Sequence, residues 1–84
     1  MLISKVDSEF EVSIYEIDGE WEGRITEHNI DRVTSVCHLR HRWTSLEAAL
    51  TGIQRRWQRI FPDAPPPDFR AAIDQPLTSS SSYY

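Results

Sequence analysis

Apolar residues in the first half of the chain recur at every second position. From Phe10 to Ile17 this alternation places Phe10, Val12 and Ile14 on one face and predicts a strand. Asp18-Gly19 follows, the strongest short hairpin signal present, and it predicts a two-residue type I′ turn. Such a turn dictates the register. Ile17 falls opposite Glu20, Glu16 opposite Trp21, Ile14 opposite Gly23 and Val12 opposite Ile25. Val12, Ile14, Trp21 and Ile25 then share one face, while Glu11, Ser13, Tyr15, Glu22, Arg24 and Thr26 share the other. A slip of one residue would invert both faces, so the agreement of turn and alternation supports this pairing. Gly23 is expected to leave room for a ring from a helix, with Trp57 the expected occupant. Glu27 to Asp31 reads as a connecting loop. Arg32 to Arg40 reads as a third strand, with Val33, Ser35, Cys37 and Leu39 inward and Thr34, Val36, His38 and Arg40 outward, although Val36 competes for the core. Ile3 to Asp7 adds a short edge strand.

The period then changes. Leu46, Leu50, Ile53, Trp57 and Ile60 recur at steps of four, three, four and three, the spacing of one helix face. Thr44, Ser45, Leu46 and Glu47 form a capping box in which the Thr44 hydroxyl accepts from the Glu47 N–H. Trp43 stands just before it as a hydrophobic staple. Pro62 cannot donate the next hydrogen bond and ends the helix, predicted over Ser45–Phe61.

These elements predict an α+β fold: a three- to four-stranded antiparallel sheet, in β-β-β-α order, packed on one C-terminal helix. Residues 1–62 form the domain. Residues 63–84 form a proline-rich linker (Asp63-Ala64-Pro65-Pro66-Pro67) and a disordered serine-rich tail, with a short helix at 69–73 capped by Asp68. The expected core is Val12, Ile14, Trp21, Ile25, Val33, Cys37, Leu39, Leu46, Leu50, Ile53, Trp57 and Ile60. A chain of 84 residues buries a modest share of its surface, so its stability is sensitive to each large apolar side chain.

Charge changes the picture more than overall composition does. The net charge of −4 conceals a split. Residues 1–31 carry nine acids against Lys5 and Arg24, whereas residues 32–61 carry six arginines against Glu47 alone. Such a split can steer a charged partner. One cysteine, Cys37, allows no internal disulfide and fits a reducing compartment. The opening Met1-Leu2-Ile3-Ser4-Lys5 is too short and too soon acidic for a signal peptide, and no apolar run approaches the roughly 18 residues of a membrane span. A cytoplasmic protein of a bacterium or phage is the expectation.

No arrangement of reactive residues points to an enzyme. Cys37 and His38 project to opposite sides of a strand, so neither a metal site nor Cys–His catalysis is expected with His28 or His41. Glu11 and Glu22 lie on the outer face, in water, where two carboxylates do not separate their pKa values. Neither a metal nor another cofactor is expected. The outer face instead reads as a docking surface for another protein, such as one with a basic site, through Glu11, Tyr15, Glu22 and Arg24. An open sheet edge could also pair two copies into a homodimer. The alternative is a nucleic-acid-binding accessory protein using Arg40, Arg42, Arg55, Arg56 and Arg59, with no membrane role.

The order of hairpin, strand and capped helix, with the helix opening Thr44-Ser45-Leu46-Glu47-Ala48-Ala49-Leu50, resembles the sheet-plus-helix domain of HicB-like antitoxins over Phe10 to Phe61. Those domains look like partial double-stranded-RNA-binding folds. The resemblance implies a non-catalytic, antitoxin-like or inhibitory role. The second DNA-binding domain usual in such antitoxins has no counterpart here, so it implies no operator-binding residues. By analogy of size and charge, phage-encoded anti-CRISPR inhibitors and immunity proteins are a further alternative.

Overall fold

The computed structural model describes residues 1–73. The expected tail falls almost wholly beyond them, and residues 74–84 lie outside the described part. Four antiparallel strands form one sheet in sequence order: β1 (Leu2–Ser4), β2 (Ser8–Ile17), β3 (Glu20–Asn29) and β4 (Thr34–Trp43). One helix, α1 (Leu46–Ile60), covers one face of it. No helix among the described residues is long and apolar enough to cross a membrane.

The β2–β3 hairpin has the register that its turn demands. Asp18 and Gly19 have φ of 53° and 81°, the left-handed values of a type I′ turn. Val12 pairs with Ile25, Ile14 with Gly23 and Glu16 with Trp21. Both strands run longer than expected, and Glu27 belongs to β3 rather than to a loop.

β4 departs from the expected phase. Ile25 pairs with Leu39, but Thr26 pairs with Cys37, so His38 is an extra residue in a β-bulge. The bulge puts the alternation on its two sides out of step. Leu39 and Trp43 face the helix and are half-buried, as is His38, whose ring stacks on Phe10 at 5.7 Å. Cys37, expected inside, projects from the open face and is exposed. Val33, also expected inside, lies before the strand, in a turn at φ 52°, and is 91% exposed.

Ser45, not Thr44, caps α1. Its side chain accepts from the Ala48 N–H at 3.2 Å, while Glu47 accepts from Arg70 at 3.3 Å. Ala49, Ile53 and Trp57, four residues apart, form the buried stripe; Leu46, Leu50 and Ile60 flank it half-buried. The helix axis thus rests on its smallest apolar residue, which lets the backbone approach the sheet. Gly23 is met by Ile53 and Trp43 rather than by Trp57. A methyl group there would come within 2.5 Å of Ile53 Cδ1 and 2.9 Å of Trp43 Cζ3. The same Trp43 ring rests against Gly52 on the helix. It therefore wedges between sheet and helix rather than stapling the helix start.

Trp57 is the hub of the core. Its ring packs edge-on against Phe10 at 5.4 Å and Phe69 at 5.7 Å, and tilted against Phe61 at 4.8 Å. Phe69 comes from a short 3₁₀ helix, Phe69–Ala72, capped by the Asp68 side chain, which accepts from the Arg70 N–H at 3.1 Å. The polyproline stretch carries this turn back onto the domain. Ile73 then bridges to Ile14, on the part of β2 that short β1 leaves unpaired.

Candidate functional site: a carboxylate ringed by arginines on the open face

The uncovered face of the sheet holds a side chain that water hardly reaches. Glu22 stands in the middle of β3 with its side chain 4% exposed, although no helix among the described residues lies over it. Register explains its surroundings. Tyr15 is its partner on β2 and Arg42 its partner on β4. Arg24, two residues along β3, points to the same face, and Arg40 pairs with Arg24 from β4.

Each neighbour binds the carboxylate. The Tyr15 hydroxyl donates a short hydrogen bond to Oε2. Arg24 Nε donates to the same oxygen at 2.7 Å, and Arg42 Nε donates to Oε1 at 3.1 Å. Arg40 Nε lies 3.5 Å from Oε2. The Arg24 guanidinium also rests over the Tyr15 ring, 5.5 Å from its centroid.

These contacts shift the ionisations apart. Above all the Tyr15 hydrogen bond, then the Arg24 and Arg42 guanidinium groups, bring the Glu22 carboxyl down to about 2. The same hydrogen bond, followed by burial, raises the Tyr15 phenol, and Glu22 raises Arg24. At neutral pH the cluster holds one carboxylate, one neutral phenol and three guanidinium groups. The shifts move the ionisations of Glu22 and Tyr15 further from neutral pH, in opposite directions. The arrangement is suited to recognition: a planar array of donors, fixed in place, with positive charge in excess.

Of the four residues expected on a docking face, Tyr15, Glu22 and Arg24 come together. Glu22 itself is saturated and shielded, so it organises the face rather than touching a partner. Glu11 lies four residues further along β2, about 13 Å away. There it pairs with His28 at 3.2 Å, and His28 Nδ1 in turn meets Ser35 Oγ at 2.8 Å. The open face is therefore bipolar, with arginine and tyrosine at one end and Glu9 and Glu11 towards the other.

The five arginines of the alternative set separate into two groups on opposite sides of β4. Arg40 and Arg42 belong to the open-face cluster. Arg55, Arg56 and Arg59 line a groove of about 320 Å³ between α1 and β4, above His41, Trp43 and Gly52. Sequence reasoning did not anticipate Arg40 and Arg42 as Glu22 partners. The signal was the cross-strand pair Trp21–Trp43, which sets Arg42 opposite Glu22.

A second polar group went unseen on the helix side. The Ser8 hydroxyl donates to Glu27 Oε2 at 2.6 Å, and His38 Nε2 donates to Oε1 at 2.7 Å. The Ser8 bond first, and His38 second, hold the Glu27 carboxyl below its ordinary range. Cys37 points away from His38, and no three His, Cys, Asp or Glu side chains among the described residues are grouped to hold a metal ion. Comparison with known proteins adds no family or relative to this geometry: no family model, curated protein or solved structure matches the chain.

Proposed function

We propose that the protein is a non-catalytic protein-binding module, inhibitory or antitoxin-like, that docks through the open face of its sheet. The observation that carries this reading is the burial of Glu22 in an otherwise uncovered face. Three arginines and a tyrosine are held there in fixed positions before any partner arrives. Side chains ordered in advance lose little further entropy on binding, and tyrosine and arginine are favoured interface anchors. The excess positive charge at this end suits carboxylates of the partner, while Glu9 and Glu11 suit a basic group beyond them. A single exposed cysteine is compatible with a cytoplasmic protein.

The test is affinity purification from host lysate with the intact chain, beside an Arg24→Glu/Arg40→Glu variant and a Glu11→Arg variant. Circular dichroism first establishes that each is folded. The proposal expects a protein retained by the wild type and lost with the double arginine reversal, with weaker retention by Glu11→Arg. Equal retention by all three chains, or no protein retained by the wild type, overturns it.

A further inference from the structure

On the other side of β4, we propose a second site: the groove under Arg55, Arg56 and Arg59 binds single-stranded nucleic acid. The two arginine groups differ in one decisive respect. Arg24, Arg40 and Arg42 share Glu22 as a counter-charge. Among the described residues, Arg55, Arg56 and Arg59 form no ion pair, and no carboxylate lines the groove. Three uncompensated guanidinium groups can neutralise phosphates and so release the cations condensed on a nucleic acid strand with a gain in entropy, whereas a guanidinium already paired with a carboxylate offers little of this.

Spacing and chemistry favour a nucleic acid strand over a single small anion. Arg55 and Arg59 are one turn apart on the exposed side of α1, about 6 Å along its axis. That step suits successive phosphates of an extended strand. Below the arginines lies His41, exposed, with its ring edge-on to Trp43 at 4.8 Å. Trp43 is held in place by Gly23 and Gly52. An unpaired base can stack on the exposed His41 ring, which Trp43 backs edge-on, while its phosphates meet the arginines, the usual construction of sequence-tolerant single-strand sites. A duplex keeps its bases stacked internally and leaves the histidine unused.

The acidic residues do not oppose this. Asp7, Glu9, Glu11, Glu16 and Asp18 sit on β2 and its turns, two strands and about 10 Å from β4, where the groove opens; Glu20, beside Trp21, is nearer but does not line the groove. A Debye length of about 10 Å at 0.1 M salt screens charges so placed.

Fluorescence anisotropy with labelled oligo-dT and oligo-rU tests the site, with a duplex of equal length and poly-glutamate as competitors. Three phosphate contacts on a single strand predict a log–log salt slope of about −2, a loss of roughly 20-fold between 50 and 200 mM salt. Arg55→Gln/Arg56→Gln/Arg59→Gln weakens binding more than tenfold and flattens the slope. His41→Ala weakens it about fivefold. Arg24→Gln/Arg40→Gln/Arg42→Gln leaves it within twofold, which separates this site from the protein-docking face. These substitutions alter exposed or half-exposed side chains, and thermal melts establish that the variants are folded. Four results overturn the proposal: no binding of either strand at 50 mM salt, binding unchanged in the helix triple variant, tighter binding of the duplex, or displacement by poly-glutamate as effective as by unlabelled strand.

Discussion

The two faces of the sheet are ordered by different forces. On the closed face, Val12, Ile14, Ile25 and Ile53 are wholly withdrawn from water and Trp57 almost so. Their contribution is non-directional and follows area and volume. On the open face, the ion cluster around Glu22 fixes the side chains beside it, and its strength depends on geometry and on protonation. With one α-helix among the described residues, the domain has apolar cover for one side of the sheet. The difference teaches that the uncovered side acquires its order from charge, and that the two sides should fail under different perturbations.

The largest effect should come from the closed face. Trp57→Ala removes the ring on which Phe10, Phe61 and Phe69 converge. A loss of about 3–5 kcal/mol is expected. Domains of this kind are stable by roughly 5–15 kcal/mol, so the variant should approach unfolding at 37 °C. Urea denaturation checks this, and a cost below about 1 kcal/mol would mean that α1 does not cover the sheet.

Gly52→Ala probes the seam between helix and sheet. Alanine should favour the helix by about 1 kcal/mol over glycine. The added methyl, however, would overlap the six-membered part of the Trp43 ring, whose Cζ3 edge rests against Gly23 on the sheet side. Overpacking costs about 1–3 kcal/mol, so the net change is a destabilisation of up to about 2 kcal/mol. Trp43 should move outward with a red shift in emission. A variant more stable than the wild type would show that the ring has room to shift.

The open face should respond to acid instead. Glu22 titrates from about 2 in the folded protein against 4.5 as the ordinary value. Its contribution is therefore complete above pH 4.5 and is lost as pH falls towards 2, because the unfolded chain takes up the proton first. Glu27, also lowered, acts in the same direction from the other face. Glu22→Gln should be less stable than the wild type at pH 7, and the gap should close on acidification. Urea midpoints at pH 7, 4 and 2.5 measure it. Parallel curves for the two chains would show that the cluster does not stabilise the fold.

How much was legible follows the same division. The hairpin was read residue for residue because Asp18-Gly19 and the alternation specify one register between them. The helix face was read as well, apart from its cap: Thr44 and Ser45 are both competent acceptors, and pattern alone does not choose between neighbours. β4 was read only on the C-terminal side of its bulge, at Leu39 and Arg40, since no single alternation accommodates both Val36 and Leu39. That error sent Cys37 inward and concealed the Glu27–His38 pair. The candidate site inherited the same limits. Tyr15, Glu22 and Arg24 depended on the hairpin alone, whereas Arg40 and Arg42 required the register of β4.

The smallest effect belongs to the turn before β4, where neither force acts. Val33 is a β-branched residue held at φ 52° with its side chain almost wholly in water. Its backbone is costly, by roughly 1–2 kcal/mol for an L-residue in this region, and it recovers nothing by burial. Asparagine tolerates the left-handed region better. Val33→Asn should therefore stabilise the protein by about 0.5–1 kcal/mol, raising the melting temperature by a few degrees. The change touches neither face, so it should leave the acid dependence set by Glu22 and the packing around Trp57 as they were. A destabilised Val33→Asn variant would mean that Val33 finds apolar cover in solution, and the division of the molecule into one greasy side and one ionic side would need a third, apolar end.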